Sequence, residues 1–192
     1  MKMKKWTSPV SLCLVLFTLF CNAQEEFQVA ALNDISTYEM DIHQSIISNT
    51  ETSNRLTTLL SALRASDLDH VLGYDGQFTV FAPSNMAFEK LPPLTVAWLM
   101  NPLNKTKLKA VMSYHIIAGK LSASKILRAM CRGNGIATFT TVQGEKITAT
   151  MNGVDIILTD IFGHKAKITL ADSNHSNGVM HEIDSVFMPV KL

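Results

Sequence analysis

Six histidines, at positions 43, 70, 115, 164, 175 and 181, together with Cys131, are the side chains here best suited to binding a metal or moving a proton. Asp172, His175 and His181 could converge through the turn at 174–178 to hold a metal. A structural zinc site, however, asks for four ligands and a satisfied surround. Nucleophilic chemistry has no support: the chain has no Gly-x-Ser-x-Gly elbow, no P-loop, no dinucleotide-binding glycine pattern, no Cys-x-x-Cys and no His-Glu-x-x-His. No catalytic residue, metal ligand or cofactor is therefore assigned. His181 alternates with Val179 and Ile183, and a period of two turns it inward with them as a neutral, hydrogen-bonded imidazole. His115, beside Tyr114, reads the same way. Cys131, beside Met130, reads as a half-buried small hydrophobe.

These side chains need elements to position them, and Gln77 to Phe88 is the stretch on which the rest depends. An apolar run, Phe78-Thr79-Val80-Phe81, enters Ala82-Pro83-Ser84, and Ala87 and Phe88 then open a helical face. Pro83 has no N–H with which to continue a ladder, while the Ser84 hydroxyl can cap a helix. The stretch reads as strand, corner, helix.

Ahead of it, Ile42, Ile46 and Ile47 suggest one helix, broken at Ser48-Asn49-Thr50. Leu56, Leu59, Leu60 and Leu63 give a second helix, capped by Thr52 or Ser53, and Leu68, Val71 and Leu72 a last turn ending at Gly73. Behind it, short helices stop at Pro92-Pro93 and near Pro102; Lys105 to Ser113 is helical, Tyr114 to Ile117 extended, and Ser122 caps a helix through Met130. From Ala137 the pattern is all strand, with the Asn152-Gly153 hairpin signal between two alternating runs. Met151, Val154 and Leu170 are expected on the packed face. The last strand spans Val179 to Phe187.

Residues 1–23 have the three parts of a secretory signal: Lys2, Lys4 and Lys5, an apolar run from Val10 to Phe20, and small residues at Cys21 and Ala23. Cleavage is expected after Ala23, with acylation of Cys21 as the alternative. The apolar run is shorter than the roughly 20 residues of a membrane span, so no span is expected. Residues 24–39 read as a loosely ordered leader, and 40–192 as a single domain. Losing three lysines changes 17 cations against 16 anions to 14 against 16. With no basic excess left, nucleic acid is not an expected partner.

Three segments resemble the signatures of fasciclin-type adhesion domains: Thr79 to Phe88, Tyr114-His115-Ile116-Ile117-Ala118-Gly119, and Asn177-Gly178 through His181, Ile183-Asp184 and Pro189. The resemblance implies an α+β fold, a β-wedge or sandwich of about seven strands with several helices packed along it. Thr79, Phe81, Pro83, Asn85, Phe88, Gly178, His181 and Pro189 would form its structural signature, with Asn85 and Asp184 tying the two outer segments together through backbone amides. It also implies a non-catalytic adhesion module, secreted, periplasmic or at the cell surface. Its partners would be an extracellular or cell-surface protein or a matrix glycan, with the chain itself a monomer or weakly self-associating. Residues matching the family's contact segments are Tyr114, His115, Ile183 and Asp184. The alternative is a carrier holding a small apolar ligand, a lipid or pigment, between helices and sheet.

Overall fold

The computed structural model describes residues 41–73 and 76–188 of the protein; the expected signal and leader, and Pro189, lie outside them. Helices α1 (Ile46–Thr52), α2 (Thr57–Ala65) and α3 (Leu68–Gly73) precede strand β1 (Phe78–Pro83). Next come α4 (Asn85–Glu89), α5 (Pro93–Met100), a 3-10 turn (Pro102–Asn104), α6 (Lys105–Tyr114), β2 (Ile116–Ala118) and α7 (Ala123–Arg132). Strands β3 (Ile136–Thr140), β4 (Lys146–Asn152), β5 (Asp155–Thr159), β6 (Lys165–His175) and β7 (Gly178–Ile183) follow. They form one seven-stranded sheet in the order β2-β1-β7-β6-β5-β4-β3.

The β1–β7 pair is parallel and every other pair antiparallel. The two edges meet where the Val142 amide donates to the Ile116 carbonyl at 2.7 Å, so the mixed sheet is nearly closed. This is the expected α+β architecture.

Because β1 and β7 are covered on both faces, two cores form. On one side Val80, Ala82 and Met180 pack with the leucines of α2 and with Leu108, Val111 and Met112 of α6. On the other, Phe81, Tyr114, Ile183 and Phe187 pack with Ile126 and Met130 of α7 and with Ile147, Ala149 and Leu158. A strand buried on both faces carries no inside-to-outside alternation, and β7 is buried without interruption from Gly178 to His181.

Several local expectations give way to tertiary contacts. No break occurs at Ser48-Asn49-Thr50: α1 runs through them, with Asn49 and Thr50 buried. The Ser45 hydroxyl caps its start, the Thr50 hydroxyl donates to the Ile46 carbonyl at 2.7 Å, and the Asn177 side chain accepts from the Ile46 amide at 2.9 Å. Val154 is 93% exposed in the hairpin turn, and Met151 and Leu170 are also exposed, because these positions lie beyond the apolar cluster. The last strand stops at Ile183, where Asp184 turns back on Lys167. Cys131 is exposed rather than half-buried: α7 packs through Ile126 and Met130, four apart, which turns Cys131 outward.

The start of α2 is capped from a distance. Neither Thr52 nor Ser53 caps it; Asn85 Oδ1 accepts from the Thr58 amide at 3.0 Å, and its Nδ2 donates to the Asn54 carbonyl at 3.0 Å. Asn85 therefore ties the corner to α2, not to the second signature segment. Substituting Asn85→Ala is expected to cost about 1–2 kcal/mol, the usual effect of losing a cap. It would be read as a lower urea midpoint with an unchanged slope; a midpoint that does not move would show that α2 holds its own start.

Candidate functional site

The three signature segments, distant in sequence, lie on adjacent strands. In β1–β7, Phe78 stands opposite Gly178 and Pro83 opposite Ile183; in β1–β2, Val80 stands opposite Ile116. Gly178 permits this. A Cβ there would stand 2.0 Å from the Phe78 carbonyl oxygen, and its φ of +156° lies in the region that favours glycine.

Two side chains hold the loop after β2. The Thr79 hydroxyl donates to the Gly119 carbonyl at 2.6 Å and accepts from the Leu121 amide at 2.8 Å. His181 donates from Nε2 to the Leu121 carbonyl at 2.8 Å and accepts at Nδ1 from the Asp172 amide at 3.1 Å, with its ring stacked on Phe81. Asp172 reaches this position through the irregular β6–β7 register and a φ of +60°. Its carboxylate accepts from the Ala123 amide at 2.8 Å at the start of α7.

The Tyr-His pair works from inside. Tyr114 is fully buried, and its hydroxyl donates to the Lys146 carbonyl at 2.7 Å and accepts from the Ile161 amide at 3.3 Å. Burial raises its phenol to about 12. His115, 1% exposed, donates from Nδ1 to the Val111 carbonyl at 2.8 Å and accepts at Nε2 from the Phe187 amide at 3.1 Å. Burial depresses its imidazole to about 4. His175 is also buried and depressed to about 4, by burial first and by Lys120 second; its Nδ1 faces Asn49 Nδ2 at 2.7 Å. Burial lowers His181 too.

With both His181 nitrogens bonded inside the fold and the Asp172 carboxylate on α7, these side chains are committed to scaffold contacts. Among the described residues no group of three or more His, Cys, Asp or Glu side chains is placed to hold a metal. The sequence assigned no role to the side chain of Asn49, which serves the Asp41 backbone and faces His175, or to that of Asn177, which accepts from the Ile46 amide and donates to the Leu72 carbonyl, far away in the chain. A buried Asn before a strand glycine carries no local signal of its distant partner.

Ile183 is fully buried in the second core. Asp184, next to it, reaches the surface. Its Oδ1 accepts from the Lys167 amide at 2.8 Å, and Lys90 Nζ approaches Oδ2 at 3.2 Å and donates to the Asp184 carbonyl at 2.5 Å. Partial burial pushes the Asp184 carboxyl up, but the Lys167 amide and the Lys90 ammonium outweigh it and hold the group below its ordinary range. Lys90 follows α4, so this pair, together with the Ser84 amide donating to the Ile183 carbonyl at 3.2 Å, joins the corner to the second signature segment.

Beside Asp184, an open groove of about 500 Å³ runs over β4, β5 and β6, lined by Thr150, Asn152, Ile157, Lys165 and Lys167 among others. It lies on the mixed polar face of the sheet, away from the helix-to-sheet interior where an apolar carrier's pocket is expected. Among the described residues no helix is long and apolar enough to cross a membrane.

Comparison with known proteins agrees with this geometry. The chain is 34% identical over 155 residues to protein sll1483 of Synechocystis, covering 81% of this chain and 79% of that protein. It is 33% identical over 138 residues to immunogenic protein MPB70 of Mycobacterium bovis, covering 70% of this chain and 63% of that protein. Human periostin matches at 34% identity over 139 residues, 72% of this chain but 15% of periostin. The solved FAS1 domain pair of the insect cell adhesion molecule fasciclin I superposes with a TM-score of 0.67 at 14% identity, covering 75% of this chain and 50% of that one, a likeness of fold. The fasciclin domain profile matches residues 54–189, so the chain belongs to the fasciclin domain family.

Proposed function

We propose that this protein is an exported, non-catalytic adhesion module that works by surface contact with an extracellular or cell-surface protein or a matrix glycan. The supporting observation is the family's three signature segments assembled on adjacent strands, with their buried histidines and Tyr114 spent on internal hydrogen bonds. A similar fold serves the insect cell adhesion molecule fasciclin I, and the export signal read in residues 1–23 supports work outside the cytoplasm. In this reading Asp184, with Lys90, meets the partner, while Tyr114, His115 and Ile183 hold that end of β7 in place from beneath.

The test is capture of partners from a surface extract of the source cells by the native protein and by Asp184→Asn, which keeps an acceptor for the Lys167 amide. Capture by the native chain and at least about tenfold weaker capture by a normally melting Asp184→Asn is the expected result. Equal capture would move the contact to another face, and no capture by the native chain would remove the adhesion reading.

A further inference from the structure

A chain nearly neutral overall can still carry a local field, and here the charge is segregated. Between Glu89 and Glu145 the sequence has no Asp or Glu, yet it carries Lys90, Lys105, Lys107, Lys109, Lys120, Lys125, Arg128 and Arg132. Lys90 and Lys105 are neutralised by Asp184 and Asp67, and Lys107 lies over the Trp98 ring. Lys109 lies in the field of Asp67, whereas the last four are different. Among the described residues none of them lies in an ion pair, and Lys125, Arg128 and Arg132 are exposed on α7.

Spacing turns these charges into a line. Positions 125, 128 and 132 follow i, i+3, i+7, which stacks them on one helix face over about 10 Å. Lys125 Nζ donates to the Lys120 carbonyl at 2.7 Å and Arg128 Nε to the Ser124 carbonyl at 3.3 Å, so two of the cationic heads are held on the helix surface. The strand packed against α7, β3, has no charged residue, and Asp172, the one acid bonded to the start of the helix, forms no ion pair with any of these four cations among the described residues. The opposite face of α7 is fixed in the second core by Ile126 and Met130, which makes the line rigid.

We propose that this outer face of α7, with Lys120 ahead of it, docks a linear anionic polysaccharide. This goes beyond the adhesion reading, whose contact is at Asp184 and Lys90, and adds a second face with its own partner chemistry. A row of cations about 4.5 and 6 Å apart along the helix axis matches a chain of repeating sulfates or carboxylates. A membrane surface would ask for bulky apolar side chains beside the charges, but the exposed apolar side chains on α7 are Leu127, 40% accessible, and Cys131. A single-stranded nucleic acid would ask for aromatic rings to stack on, and α7 has none.

The experiment measures binding of the purified protein to immobilised heparin and polygalacturonate, with dextran as the neutral control and phosphatidylglycerol vesicles as the membrane comparison. Lys125→Gln/Arg128→Gln/Arg132→Gln is compared with Lys107→Gln/Lys109→Gln/Lys165→Gln, which removes the same charge elsewhere. The expected result is salt-sensitive binding to one or both anionic polysaccharides, weakened at least about tenfold by the α7 triple variant and less than about threefold by the control. Equal loss in both variants, no polysaccharide binding at low salt, or stronger binding to the vesicles would overturn the proposal. Capture from the surface extract that fails with Asp184→Asn, with no binding to either anionic polysaccharide, would keep the adhesion reading and remove this one. Heparin binding without any capture from the extract would do the reverse.

Discussion

Substituting Gly178→Ala is expected to leave little folded protein. The added methyl would sit 2.0 Å from the Phe78 carbonyl oxygen, 2.9 Å from its carbon and 3.0 Å from the Phe78 nitrogen. All three are backbone atoms, so no rotamer change relieves the overlap. Phe78 is held on this line, its amide donating to the Asn177 carbonyl at 3.0 Å. Either β1 and β7 separate at the centre of the sheet, or β7 shifts and carries His181 and Ile183 out of their sites. A cost above about 4 kcal/mol follows, a large part of the 5–15 kcal/mol that stabilises an ordinary domain. The control is Gly144→Ala, where φ is +98° but no atom stands within 4 Å of a new Cβ. There only backbone strain is charged, about 1 kcal/mol. Urea unfolding followed by circular dichroism compares the two; near-equal midpoints would refute the close-approach argument.

The second large effect is acid unfolding well above the carboxylate range. His115 and His175 titrate near 4 in the folded protein against an ordinary value of 6.5, and burial lowers His181 as well. A depressed folded value means the unfolded chain binds more protons, so stability rises with pH through this window. It is fully present above about 6.5 and is lost as pH falls toward 4. For His115, the lowering from 6.5 to about 4 is worth about 3 kcal/mol. The structure supplies the cause: Nε2 accepts the Phe187 amide, so a proton placed there would face another donor in a site without water access.

Other titrating groups are readily separated from this. Asp184, lowered, gives up its contribution only below the ordinary carboxylate range, and Glu182, raised by burial, acts with the opposite sign. Urea midpoints at pH 7.5, 6 and 5 should therefore fall steadily, and His115→Gln should reduce the slope by about one proton. A midpoint flat from pH 7.5 to 5 would contradict neutral, buried imidazoles.

What the sequence determined by itself is local. The corner at Ala82-Pro83-Ser84, the cap at Ser122, the Asn152-Gly153 hairpin and the leucine face of α2 all form as their chemistry requires, since each depends on neighbours within a turn or two. The inward placement of His115 and His181 was also legible, although β7 earns its burial from coverage on both faces and not from alternation.

Only the tertiary structure decided the rest. It placed Gly178 against Phe78 in a parallel pair, gave the cap of α2 to Asn85, brought the Asp172 carboxylate to the Ala123 amide beside the Ser122 cap of α7, and turned Cys131 outward. It also left Lys125, Arg128 and Arg132 without acids on one exposed face, a line of charge that a near-zero net total conceals. The physical reason is common to all of these. A residue's own conformation is set by its nearest neighbours in the chain. The donor it caps, the backbone it must clear and the charge that faces it belong to segments brought near only when the sheet closes.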